Sequence, residues 1–233
     1  MPDYATLCNC GIIRQMPELI DPQQFIITRK RKKYRFAKFN NSSLCFEFSE
    51  WDKQQVVDCI EVGAGNGMFA VEQAALRPEL IFVALDVKGD RLQKGAYEAE
   101  ERGLKNIFFI RARADQMVEL FSPVSIKELW MTFSDPFPKK GSAGRRLTSP
   151  YFLAGYKNLL APNGRLYIKH DNKQFFMWSL EQLVATGWWL KELSFDLHES
   201  DLSSHYKVLT AYEQRWISEG LVTNFASAQK PIA

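Results

Sequence analysis

The chain has 233 residues, of which 46% are hydrophobic and 24% charged, and a formal net charge of +3. That is enough for one substantial core with an ordinary globular balance. No apolar run approaches the roughly 18 residues of a membrane span, and Met1-Pro2-Asp3-Tyr4 does not open a secretory signal. The cysteines, Cys8, Cys10, Cys45 and Cys59, fit neither a disulfide framework nor a paired CxxC zinc site. Reduced thiols, a cytoplasmic location and no bound metal are expected.

Residues 1–50 read as a basic N-terminal extension without a core of its own, leading into a single domain over 51–233. Within the extension, residues 29–38 carry seven basic side chains in ten positions, interleaved with Tyr34 and Phe36. From about residue 56 the pattern alternates. Apolar strands are expected at 57–62, 81–86, 106–111, 127–133 and 165–170, and helices near 67–76, 88–102, 115–121, 149–160 and 173–186. Short apolar strands alternating with helices argue for a parallel sheet covered on both faces. Two further strands, at 188–196 and 206–216 with no helix between them, are expected to form an antiparallel edge pair.

In such sheets ligands bind beyond the carboxyl ends of the strands. The first strand ends in Glu61-Val-Gly63-Ala-Gly65-Asn-Gly67. Glycines let backbone N–H groups approach a ligand closely, but the third comes one residue too early for a dinucleotide fingerprint. The acidic Glu61 would repel a pyrophosphate and favour a cationic ligand. The second strand ends at Asp86, where a carboxylate can accept from both hydroxyls of a ribose. A capping role for the following helix is the plain alternative. The fourth strand runs into Ser134-Asp135-Pro136-Phe137-Pro138-Lys139-Lys140, a turn stiffened by two prolines, with Arg145-Arg146-Leu147 after it. A carboxylate there can accept from guanine N1–H and N2, while the cations hold phosphates. Two separate basic clusters in a chain with a ligand cradle favour a nucleic-acid partner.

The E-x-G-x-G-x-G turn resembles the first motif of class I S-adenosylmethionine-dependent methyltransferases. The Ser134–Lys140 loop, Arg145-Arg146-Leu147, and Thr210-Ala211-Tyr212-Glu213 together resemble the bacterial tRNA (guanine-N7)-methyltransferase signature, over about residues 28–226. That resemblance implies a Rossmann-like fold with a mainly parallel seven-stranded sheet. It implies S-adenosylmethionine as methyl donor, and tRNA as substrate, methylated at guanine 46 of the variable loop. It implies that Glu61, Gly63, Gly65, Gly67 and Asp86 contact the cofactor. Asp135 would be the catalytic carboxylate, and Lys139, Asp171, Thr210, Ala211, Tyr212 and Glu213 would line the substrate site.

The chain departs from the family at three places. Arg113 stands where the family has an aspartate against the adenine side of the cofactor. Arginine has no acceptor, so Asp115 is the candidate substitute, and both are taken as cofactor-side residues. Gly141-Ser-Ala-Gly144 replaces a more basic stretch, and Phe137 replaces a tryptophan. Guanine N7 carries a free lone pair, so the reaction asks for alignment and charge stabilisation, with no general base. His170, His198 and His205 are therefore expected to be structural or surface residues. Two other functions compete. Asp135-Pro-Phe-Pro138 superficially resembles the loop of amino-group methyltransferases, although Phe137 interrupts its prolines. The fold could also serve non-catalytic RNA binding. Monomer and homodimer both stay open.

Overall fold

The computed structural model describes residues 19–209 and 211–231. Cys8, Cys10 and Thr210 therefore lie outside the described residues. The chain runs α1 (Lys30–Asn40), β1 (Cys45–Glu47), β2 (Cys59–Val62), α2 (Met68–Leu76), β3 (Phe82–Asp86), α3 (Gly89–Glu101) and β4 (Ile107–Arg111). It continues with α4 (Met117–Leu120), β5 (Ile126–Thr132), α5 (Pro150–Leu159), β6 (Leu160–His170), α6 (Lys173–Ala185), β7 (Trp189–Ser194), α7 (Ala211–Ser218) and β8 (Asn224–Gln229).

The five alternating strands and their helices fall where the apolar pattern puts them. They build the mainly parallel sheet expected of the class. Its order is β1-β4-β3-β2-β5-β6-β8-β7, eight strands among the described residues rather than seven. Every pairing from β1 to β6 is parallel, and β8 runs antiparallel to both of its neighbours. Strands β2, β3 and β4 are buried along nearly their whole length, which is why they read as continuous apolar runs rather than alternating ones.

The antiparallel edge pair exists, but its second strand does not lie at 206–216. That segment forms a short 3-10 turn, Ser204–Lys207, and α7, and the strand is Asn224–Gln229. The eighth strand comes from the other end. Cys45–Glu47 pairs with β4, with Cys45 opposite Phe109. The basic run forms α1, which packs on α3. Ala37, Phe39 and Asn40 are buried, whereas Arg29, Lys30, Arg31 and Lys32 are exposed. The residues at 36, 37, 39 and 40 share one helix face, Arg31, Arg35 and Lys38 take the other, and Lys32 folds over the Phe36 ring.

Local sequence explains the helix starts that matter for the site. Asn172 caps α6, its side chain accepting from Phe175 N–H at 2.8 Å, and Pro150 occupies the first turn of α5, where a missing N–H costs nothing. Among the described residues no helix is long and apolar enough to cross a membrane, and no cluster of His, Cys, Asp and Glu could hold a metal. Cys45 and Cys59 are both buried, and Cys59 is a free thiol.

Candidate functional site

The chain winds outward through β2, β3 and β4, then returns to lay β5 and β6 on the other side of β2. At that reversal an open sheet leaves a crevice. Here it is a cleft of about 950 Å³ that gathers Glu61, Gly63, Gly65, Asp86, Arg113, Asp115, Asp135 and Tyr212.

All three glycines of the β2–α2 turn have positive φ, between 60 and 72°. A Cβ on Gly65 would meet nothing within 4 Å, so this backbone faces open space. Gly67 differs. Its Cβ would stand 2.7 Å from the Phe109 ring, so it lets α2 approach β4, and it lies beneath the cleft surface instead of lining it. Asp86 holds the loop from the next strand. One carboxylate oxygen accepts from Gly65 N–H at 2.9 Å, and the other from Lys88 N–H at 2.8 Å. The Lys88 contact is an Asx turn ahead of α3 rather than a cap, since the capping position is Lys88 and no side chain caps it; each Asp86 oxygen keeps a further lone pair.

Glu61 is only 4% exposed. It accepts from Thr132 Oγ1–H at 2.5 Å and from Ala70 N–H in the first turn of α2 at 3.2 Å. Burial pushes its carboxyl up to about 7, against the pull of both hydrogen bonds and of Lys169. Burying a carboxylate is unfavourable unless a cation compensates, so this position suits a positively charged ligand. A stability consequence follows from the sign. A carboxyl whose folded pKa is raised contributes most below its unfolded value, here 4.5, and loses that contribution as pH rises through about 7. Between pH 5 and 8 the ligand-free protein should lose stability on the order of 3 kcal/mol from this group. Glu61→Gln should flatten that part of the melting-temperature profile. An identical profile in the variant would remove Glu61 as its source.

On the far side, Arg113 grips Asp115 in a fork, Nε to Oδ1 and Nη2 to Oδ2, both at 2.9 Å. This arginine pair holds the Asp115 carboxyl below the ordinary carboxylate range. Arg113 thus fixes the orientation of Asp115 in the cleft wall, and its own side chain remains mostly exposed.

The β5–α5 loop carries the most local strain. Phe133 and Phe137 have φ of 48° and 39°, a region that bulky residues occupy at a cost of about 1–3 kcal/mol each. The surroundings fix this geometry. Phe133 N–H donates to Lys169 C=O at 2.9 Å. His170 Nε2 meets Ser134 C=O at 2.9 Å while its Nδ1 accepts from Asn172 N–H, so Nε2 is the donor. Arg146 donates from Nε to Pro136 C=O at 2.9 Å and from Nη2 to Phe137 C=O at 3.1 Å. Its guanidinium also lies 4.3 Å from the Trp178 ring. Asp135, exposed on the cleft wall, accepts from Phe137 N–H at 3.1 Å. Thr132, His170 and Arg146 are therefore supports that sequence reasoning did not identify. His170 is structural as expected, but its task is to anchor the Asp135 loop. Arg146, grouped by sequence with the phosphate-binding cations, is engaged as a brace.

Of the remaining residues, Lys139, Asp171, Ala211 and Glu213 lie apart from the cleft lining. Lys139 is exposed where the loop leaves it. Asp171 stands behind the loop, with a carboxylate oxygen 3.1 Å from His170 Nδ1. Ala211 begins α7. Tyr212 reaches the cleft, but Glu213 turns away and is fully buried, paired with Lys169 Nζ at 2.9 Å. Its other oxygen takes His198 Nε2 at 2.8 Å and Thr223 Oγ1 at 3.1 Å.

Comparison with known proteins places this cleft in context. The family model described as "Putative methyltransferase" matches residues 55–225. The tRNA (guanine-N(7)-)-methyltransferase of Cytophaga hutchinsonii is 35% identical over 182 residues, which cover 77% of this chain and 82% of that protein. The tRNA (guanine-N(7)-)-methyltransferase of Brevibacillus brevis is also 35% identical, over 69% of this chain and 75% of its own. Among solved structures, the 16S rRNA methyltransferase KamB superposes with a TM-score of 0.56 at 18% identity, covering 78% of this chain and 90% of that one. At that identity the likeness is one of fold.

Proposed function

The chain belongs to the tRNA (guanine-N7)-methyltransferase family, and on that premise we propose that it methylates N7 of a guanine in tRNA, guanine 46 of the variable loop, with S-adenosylmethionine as donor. The observation that carries this reading is the meeting of Glu61, Asp86 and Asp135 in one cleft. We take 51–233 as the catalytic unit and 1–50 as a basic extension whose α1 and β1 are docked onto it and which adds to the RNA-facing surface, with the cytoplasm as the place of action.

The residues present fit the cofactor. Open backbone at Gly65, a buried Glu61 and the carboxylates of Asp86 and Asp115 suit a cationic ligand that carries ribose hydroxyls and an exocyclic amine. When bound, S-adenosylmethionine supplies an electrophilic methyl, and transfer moves its positive charge from sulfur to the purine. Asp86 would accept from the ribose and Asp115 from the adenine amine, with Glu61 compensating the charge. Asp135 would accept from guanine N1–H and N2. Its negative charge would then stabilise the cation that develops on the base. Pro136, Pro138, His170 and Arg146 keep that carboxylate in place, so N7 meets the methyl with little reorganisation. The amino-group alternative gains no observation of its own. The direct test incubates the protein with labelled S-adenosylmethionine and unmodified tRNA, then maps the product by chain cleavage at N7-methylguanosine. Label on another base atom, or none at all, overturns the proposal.

The exposed cations Arg29, Lys30, Arg31, Lys32, Lys139, Lys140 and Arg145 should make tRNA binding strongly salt-dependent. Replacing Lys30, Arg31 and Lys32 with glutamine should reduce the slope of log affinity against log salt by about 1 for each phosphate no longer neutralised. Substitution is a cleaner test than deleting the extension, because Ala37 and Phe39 of the same helix are buried. An unchanged slope would mean that α1 faces away from the RNA.

A further inference from the structure

The strain at Phe133 aims its ring. The ring stands 5.2 Å from that of Tyr212, at 56°, and both line the cleft beside Asp135. Tyr212 is 47% exposed and is backed by Trp216, ring to ring at 5.5 Å. The two rings therefore form a corner, with one wall from the end of β5 and one from α7. The other aromatic of the loop, Phe137, is already covered by the Arg145 guanidinium at 4.5 Å. Among the described residues, no lysine or arginine lies over Phe133 or Tyr212.

We propose that Phe133 and Tyr212 form a stacking corner for the target purine that favours its cationic, N7-methylated form over the neutral one. The proposal deepens the N7-guanine reading above and rests on it. Asp135 reads the edge of a guanine but says nothing of its face. A planar base lying on one ring presents its edge to the other, because the rings meet at 56° rather than in parallel. Aromatic faces carry a negative quadrupole that attracts cations, most strongly where water is excluded. Methylation at N7 makes the whole purine cationic, so the same corner that holds the substrate binds the developing charge more tightly. The buried Lys169–Glu213 pair ties α7, the helix that presents the Tyr212 ring, to β6.

The test compares two forms of one tRNA, one carrying 7-methylguanine at the mapped position and one unmethylated. Each is titrated against the full chain saturated with S-adenosylhomocysteine. The unaltered protein should bind the methylated form about five- to thirtyfold more tightly. Phe133→Leu and Tyr212→Leu should each bring the ratio towards one, Tyr212→Phe should restore it, and S-adenosylhomocysteine affinity should hold in all of them as the control for folding. A ratio of one in the unaltered protein, or an undiminished ratio in both leucine variants, overturns the corner. If the unaltered protein labels guanine N7 while the ratio is one, only the corner falls. If it does not label N7, the underlying reading falls as well.

Discussion

Asp135→Asn should lower single-turnover methyl transfer to tRNA by about a hundred- to a thousandfold, the scale of losing one preorganised electrostatic contact, while cofactor affinity stays nearly unchanged. The substitution is sparing of structure. Within the chain the carboxylate accepts from Phe137 N–H, a bond that an asparagine oxygen can keep. The loop's other ties run through His170 to Ser134 and through Arg146 to Pro136 and Phe137, and none involves the Asp135 side chain. What changes is the second oxygen, which becomes an NH2 donor opposite the donor edge of guanine. A donor facing a donor leaves both unsatisfied once the bound base covers them. Normal single-turnover rates in the variant, or methyl recovered on a different atom, would sink the assignment.

Glu213→Gln should produce the largest loss of stability among single changes near the cleft. Lys169 and Glu213 are both fully buried. Burial pushes the Lys169 ammonium down, and Glu213 and Glu61 hold it up. Neutralising Glu213 leaves that ammonium with Val208 C=O and a neutral amide. Breaking such a pair from one side costs about 3–5 kcal/mol, or roughly 6–20 °C in melting temperature for a chain of this size. Replacing both residues together, Lys169→Met with Glu213→Leu, should recover part of the loss: no unpaired charge remains, although Thr223, His198 and Val208 C=O lose their partners. If Glu213 instead contacts tRNA, the single variant will weaken RNA binding with an unmoved melting temperature.

The fate of Glu213 shows where the sequence was legible and where it was not. The glycine-dense turn, Asp86 and the Ser134–Lys140 loop announce themselves because each is local. A strand end, a turn and a helix start fall within a dozen residues, and period and punctuation are both visible. Glu213 is decided by Lys169, which is 44 positions away, and no spacing rule reaches that far. Arg146 is similar, since its partner ring Trp178 lies on another helix. The misplaced strand has a different cause. Residues 206–216 carry the apolar and aromatic side chains that usually mark a strand. The true strand, Asn-Phe-Ala-Ser-Ala-Gln, carries small ones that suit a crowded place between two neighbours. The basic run hid α1 because its charges overshadow the apolar face at Phe36, Ala37 and Phe39.

The placement of β8 also bears on the order in which the molecule assembles. β7 precedes β8 in the chain yet touches the sheet only through it, since the order is β6-β8-β7. β6 and β8 meet across more than fifty residues, His170 opposite Asn224, and closing a loop that long costs entropy before any contact repays it. β7 must therefore wait for β8, and the segment strung between them, which bears Tyr212 and Glu213, can settle only after both. The rim of the cleft built by α7 should be among the last parts to gain hydrogen-exchange protection during refolding, well after the glycine turn and the Asp86 contact have formed.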